Sequence, residues 1–138
     1  MTCLINTERA RHGLRPLAVH TKLMEMARRH SNYQSAMRHM THSDTAGSLG
    51  SRATQVGFSW NFLEENVASF AMSEEEAMKA WMASPSHREN ILSRNVEFFG
   101  AAVSDGFWTQ EFGNMMDKTR SPRVLEGCPS AENLVVYS

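Results

Sequence analysis

Three residues able to bind a cation or move a proton, His42, Glu65 and His87, lie 23 and 22 residues apart. Two imidazoles and a carboxylate are ligand types that hold zinc. With an open fourth position they could activate water, Glu65 serving as general base. The wide spacing excludes a local zinc motif and requires a cleft assembled from three separate elements. Each residue also has a plainer reading: His42 as a polar loop residue after a helix, Glu65 as a surface carboxylate, His87 as a helix-start residue bonded to its own backbone. The sequence contains no Gly-x-Ser-x-Gly elbow, no His-Glu-x-x-His and no cysteine beside a base, so its motifs favour binding over catalysis.

The elements that must position these residues are legible in outline. A first helix is expected over residues 4–12, stopped by Gly13 with Pro16 beyond it. A longer one is expected over 21–40, where Leu23, Met26, Ala27, His30, Tyr33, Met37 and Met40 recur at helical spacing opposite Lys22, Glu25, Arg28, Arg29 and Arg38. Residues 48–56 read as a short helix ended by Gly57. Ser73-Glu74-Glu75-Glu76 is a capping box opening a helix that carries Ala77, Met78, Trp81 and Met82 and stops at Pro85. Ser86 with Glu89 suggests a second box for a turn through Leu92. The β-prone runs 96–103 and 107–112 flank Ser104-Asp105-Gly106, a hairpin signal. Leu134-Val135-Val136-Tyr137 reads as a docked strand or a loose tail. Helices first and a hairpin last predict an α+β fold.

At 138 residues and 41% hydrophobic content the chain is long enough for one domain with a core and too short for two. Fourteen basic against fifteen acidic residues, with no Lys/Arg stripe, argue against a nucleic-acid partner. No apolar run is long enough to span a bilayer, and the start lacks a signal-peptide pattern, as if a leader had been removed. Cys3 and Cys128 sit near opposite ends and are either free thiols or a bridge. A bridge would close nearly the whole chain, contribute roughly 4–5 kcal/mol on the chain-entropy estimate, and suit an extracellular setting. Among the ten methionines, Met24, Met26, Met37, Met40, Met78 and Met82 are expected to fill the core, the alternative being a pliable apolar groove. Phe58, Trp60 and Phe62 are expected to anchor in the core rather than form an exposed lip. His12, His20, His30 and His39 read as structural, His12 against a helix C-terminus.

Five motifs in fixed order carry a resemblance to a known family. They are the segment from Cys3 to Leu17, Thr41-His42-Ser43, Glu64-Glu65-Asn66-Val67, Trp81-Met82-Ala83-Ser84-Pro85-Ser86-His87-Arg88-Glu89-Asn90-Ile91-Leu92, and Gly106-Phe107-Trp108-Thr109-Gln110-Glu111-Phe112-Gly113. This set resembles the CAP superfamily, the SCP/TAPS or pathogenesis-related-1-like domain, in its short microbial (fungal or bacterial) type. The resemblance implies a three-layer α-β-α sandwich with a small antiparallel sheet, a single CAP/SCP domain over 1–138, with the motif-bearing core at 3–113 and an extension at 114–138. It also implies a cleft lined by two histidines and two glutamates that can hold zinc or another divalent cation. His42 and Glu65 match two of those four. The second glutamate's place is taken by Ser84 and the second histidine's by Phe107, leaving His87 as the replacement ligand. Ser43, Asn66, Trp81, Asn90, Trp108, Thr109 and Gln110 are supporting motif residues, the two asparagines tying loops to backbone groups. Arg88 is expected to pair with an acid.

The function this implies is a secreted, monomeric binding module for a sterol, fatty acid or similar apolar molecule, with a weakly bound divalent cation such as Zn2+ and a role in defence or host–microbe contact. The alternatives are a metal-dependent hydrolase using His42, Glu65 and His87, and a factor that contacts a protein or cell surface.

Overall fold

The hairpin expected around Asp105-Gly106 forms. Strands β3 (Phe98–Ser104) and β4 (Phe107–Met115) pair antiparallel, and Asp105 and Gly106 take φ of 49° and 78°, as a type I′ turn requires. The computed structural model describes residues 1–71 and 73–116 in full and the backbone of 123–125 and 134–137. Around the hairpin the chain lays down α1 (Thr2–Arg11), β1 (Ala18–His20), α2 (Thr21–Met37), α3 (Leu49–Gln55), β2 (Trp60–Ser69), α4 (Glu74–Met82) and α5 (Pro85–Ile91), with β5 (Arg123–Leu125) and β6 (Leu134–Tyr137) near its end. The fold is α+β, and the strand order is β2-β4-β3-β1-β6-β5.

Pleat alternation divides the molecule into three layers. One face of the sheet sends Phe99, Trp108 and Phe112 into a core with Ile5 of α1, Ala77, Met78 and Trp81 of α4, and Ile91 of α5. The other sends Phe98 and Met115 against Leu23 and Met26 of α2, Ala53 of α3, and Phe58. The sheet is mixed rather than wholly antiparallel, because β1 pairs in parallel with both β3 and β6. The segment 134–137 is thus a strand, and β4 runs three residues past the end expected at 112.

Several local expectations need correction. The second helix stops at Met37, with Arg38 closing it in the left-handed region (φ 53°) and donating its N–H to Gln34 and Ser35 carbonyls. Met37 and Met40 are 58% and 46% exposed, and Met24 is exposed as well, so of the six methionines expected in the core only Met26 and Met78 are buried. The buried stripe continues instead through Ser31 and Gln34. These polar residues can sit there because Ser31 Oγ shares a 2.7 Å hydrogen bond with Thr109 Oγ1 and Gln34 Nε2 donates to the same oxygen at 3.1 Å. Of the three aromatics around Gly57, Phe58 is buried, Phe62 half-buried, and Trp60 exposed with its indole N–H on the Gly50 carbonyl. The Ser73 cap forms as expected, its side chain accepting from the Glu76 N–H. The Ser86/Glu89 box does not: Ser84 is the N-cap of α5 and Pro85 its first residue, where a missing N–H costs nothing. Strands β1 and β2 had no counterpart in the sequence-based outline.

One buried arginine places α5. Arg9 donates from Nε to the Arg15 carbonyl (2.8 Å) and from Nη1 to the Ile91 and Ser93 carbonyls (2.9 and 2.7 Å). It thereby satisfies carbonyls left open where α5 ends. Burial and the neighbouring Arg94 charge hold its pKa down to about 10.

Candidate functional site

Strand β2 lies at an edge of the sheet, and its alternation decides which way each motif residue points. Glu65 faces the α2/α3 layer. Asn66, one residue on, faces α5. There its side-chain amide donates to the His87 carbonyl (3.1 Å) and to Gln110 Oε1 (3.0 Å), while its oxygen accepts from Asn90 (2.8 Å). Asn90 also donates to the Glu65 carbonyl at 3.2 Å. The two asparagines therefore lace α5 to β2, the tying role expected of them. Gln110 and Thr109 are buried on opposite faces of β4. The Trp81 indole donates to the Val67 carbonyl (2.9 Å) and the Trp108 indole to that of Ala71 (3.0 Å). Ser43 contributes only a backbone N–H, bonded to Thr41 Oγ1.

Of the three expected cleft residues, His42 and Glu65 meet directly. His42 Nδ1 stands 2.9 Å from Glu65 Oε1, and since a carboxylate only accepts, the imidazole N–H is on Nδ1 and Nε2 is the ring's other face. The His42 side chain is 59% exposed, whereas Glu65 is buried. His87 approaches from α5, on the opposite layer, and its Nδ1 bonds Ser84 Oγ at 2.8 Å. Its link to the others is electrostatic: burial, and then the His42 charge, hold its pKa below the ordinary histidine value. Arg88 meets His12 Nε2 at 3.1 Å rather than an acid, and His12 Nδ1 bonds the Glu8 carbonyl near the end of α1.

Two residues that were not expected in the site dominate its electrostatics. Arg52 of α3, only 6% exposed, grips Glu65 with Nη1 to Oε2 at 2.8 Å and Nη2 to Oε1 at 3.2 Å; Nη2 also reaches the His42 carbonyl at 3.3 Å. Glu111 of β4 lies 3.4 Å from Arg52 Nη1. Complete burial and the Glu65 charge raise its pKa well above the usual value, which favours the protonated form of this carboxyl. Burial alone would raise Glu65 too, but the hydrogen bonds from His42, Arg52 and Glu111 outweigh it and hold Glu65 down to about 2. Behind this group, His30 bonds Asp44 Oδ2 (2.8 Å) and the Thr41 carbonyl (2.6 Å), anchoring the loop that carries His42. His30 is structural, as expected.

This split has a measurable sign. Between the ordinary carboxyl value of 4.5 and its own higher one, Glu111 keeps a proton that the unfolded chain gives up, so it lowers stability as pH rises. Glu65 contributes stability that is present above 4.5 and lost as pH falls toward about 2. Glu111→Gln keeps a donor without the cost of protonation. Urea titrations at pH 5 and pH 8 are expected to show the variant's stability falling less over that interval than the wild type's; an unchanged slope means Glu111 is ionised in the fold.

A divalent cation does not fit these residues as placed. Both Glu65 oxygens already accept from a guanidinium, His42 Nδ1 is bonded to that carboxylate, and the same guanidinium lies 3.4 Å from Glu111. Among the described residues no three His, Cys, Asp or Glu groups converge so as to hold a metal ion.

Residues 3–112 match the family model CAP, the cysteine-rich secretory protein family. The chain belongs to the CAP family. This CAP domain is 37% identical over 112 residues to YkwD of Bacillus subtilis (strain 168), covering 79% of this chain and 44% of YkwD. It is 28% identical over 110 residues to the membrane protein YlbC of the same strain, covering 79% and 32%. The chain thus spans less than half the length of these relatives. Among solved structures, an extracellular SCP-domain protein of Bacillus anthracis shares 31% identity and a TM-score of 0.77, over 79% of this chain and 37% of that one. An outer surface protein of Borrelia burgdorferi, at 22% identity, TM-score 0.74 and coverage of 80% and 86%, shares the fold. The CAP domain is of the short bacterial type. No helix among its described residues is long and apolar enough to cross a membrane. Cys128 lies outside the described residues, so its pairing with Cys3 remains an expectation.

Proposed function

We propose that this CAP domain is a secreted binding module for an apolar ligand of sterol or fatty-acid type. The observation that carries this reading is a groove between α1 and α4. It encloses about 290 Å³ and is lined by Leu4, Glu8, Glu75, Met78, Lys79 and Met82. Met82 joins it to a second hollow of about 400 Å³ lined by Ala83, Pro85, Arg88, Glu89 and Leu92. The two volumes bracket the low end of small-molecule sites, roughly 300–1,000 Å³. Thioethers of Met78 and Met82 adapt to variable apolar shapes, and Lys79 and Arg88, set among Glu8, Glu75 and Glu89, offer polar partners for a head group. Secretion is supported by the extracellular relative from Bacillus anthracis, and a Cys3–Cys128 bridge would fit that setting. The hydrolase reading has less support, because Arg52 occupies both oxygens of the carboxylate it needs as a base and a pKa of about 2 makes that carboxylate a weak proton acceptor.

The test is fluorescence titration with a dansylated fatty acid and a fluorescent sterol. Met82→Gln, which removes one apolar contact shared by both hollows, is expected to weaken binding of the preferred probe about tenfold, the equivalent of burying one such side chain. His42→Ala is expected to leave binding unchanged. Equal affinity of Met82→Gln and wild type, or no binding of either probe, removes the groove as the site.

A further inference from the structure

We infer that Arg52 is the resident cation of the His/Glu cleft: its guanidinium takes the place in which a divalent ion would balance Glu65 and Glu111, so this domain's cleft excludes divalent metals. The geometry is that of a built site. The guanidinium makes two N–H···O contacts of 2.8 and 3.2 Å to the two oxygens of Glu65, a third of 3.4 Å to Glu111 Oε2, and a fourth of 3.3 Å to the His42 carbonyl. Of the roughly four lone-pair sites of this carboxylate, Arg52 takes one on each oxygen and His42 a second on Oε1, so no two remain to converge on a metal. His42, the remaining ligand type, points the nitrogen nearest the carboxylates at Glu65 itself.

Arg52 cannot easily step aside. It is 6% exposed, and swinging the guanidinium out would strip the buried Glu65 and Glu111 of the cation between them. Nor can it surrender its charge. A metal commonly displaces protons from lysine-, histidine- or cysteine-bearing sites, but a guanidinium stays protonated at any pH the fold survives. An incoming divalent ion would therefore meet a fixed positive charge already bonded to both oxygens of Glu65 and 3.4 Å from Glu111. Removing that charge by Arg52→Ala leaves two carboxyls and an imidazole around the vacated space, a ligand set that suits zinc.

The experiment uses the intact protein. ZnCl2 and, separately, MnCl2 are titrated calorimetrically into wild type and Arg52→Ala. Melts are recorded with EDTA and with each metal, and His42 ring signals are followed by NMR during the zinc titration. Wild type is expected to show no cleft binding tighter than about 1 mM, with unmoved His42 signals and one melting temperature in EDTA and in zinc. Arg52→Ala is expected to bind one zinc about 100-fold or more tighter than that, with a melting temperature that rises on zinc addition. One-to-one wild-type binding in the micromolar range with shifting His42 signals overturns the inference, as does a folded Arg52→Ala that binds no better than wild type. Should Arg52→Ala not fold, Arg52→Gln replaces it, and the wild-type titration decides the matter in either case.

Discussion

Arg52→Met lowers stability at pH 7 by about 3–5 kcal/mol, the loss expected when one member of a buried ion pair is removed and its partner is left charged in a low-dielectric site. For a domain of this size that corresponds to roughly 10–20 °C in melting temperature. The size follows from the burial of both groups, 6% exposure for Arg52 and 6% for Glu65, and from the two-point contact between them. A surface pair with the same distances would be worth under about 1 kcal/mol. The pH dependence separates charge from packing. In the variant Glu65 keeps its His42 contact but has lost the hydrogen bonds and charge of Arg52 that help hold its pKa near 2, so it is expected to take up a proton more readily as the solution is acidified, and the gap between variant and wild type narrows below about pH 4.5. Urea unfolding at pH 7 and pH 4 measures this. A loss that is the same at both values points to lost packing by the arginine stem, and a loss under about 1 kcal/mol means Glu65 is solvated after all.

Gly100→Ala is expected to cost about 3 kcal/mol or more, although it adds a single methyl group. A Cβ at Gly100 would sit 2.2 Å from the Met24 nitrogen and 2.3 Å from the Leu23 carbonyl carbon. Both are backbone atoms of α2, which cannot rotate out of the way as a side chain could. Gly106→Ala provides the contrast. Gly106 has φ of 78° and open space around it, so alanine there brings only backbone strain, about 1 kcal/mol. Denaturation midpoints for the two variants compare steric with conformational cost directly. A Gly100→Ala protein within about 1 kcal/mol of wild type would mean that α2 lifts off β3 freely, and that the Ser31 and Gln34 contacts to β4 do not hold it.

Much of this architecture was readable from residue types because its signals are local. Asp105-Gly106 between β-prone runs specifies a turn, and Ser73 ahead of three glutamates specifies a helix start, each through bonds that close within a few residues. Strand β2 escaped notice because its middle reads Glu64-Glu65-Asn66, a polar run that looks like a loop. Its two carboxylates meet partners outside the strand: Ser93 and Arg9 for the half-buried Glu64, and His42, Arg52 and Glu111 for the buried Glu65. Arg52 was invisible for a related reason. An arginine on a short helix ordinarily lies on the solvated side, and only the fold shows that α3 turns it toward β2. Glu111 had a weak sign in the sequence. It alternates with Gln110 and Phe112 in a strand covered on both faces, where no position is left for a solvated carboxylate. The site itself was half legible: His42 and Glu65 are partners, while His87 reaches the same edge from the opposite layer with its ring bonded to Ser84.

The parallel pairing of β1 with β6 joins Val19 to Val136, so a strand begun near the start of the chain is completed by one near its end. During synthesis, at about 5–20 residues per second, the motif-bearing segments emerge well before that partner does. For that interval one side of β1 presents unpaired N–H and C=O groups, a template for pairing with the wrong chain. A chaperone covering that edge would keep newly made copies apart until β6 arrives.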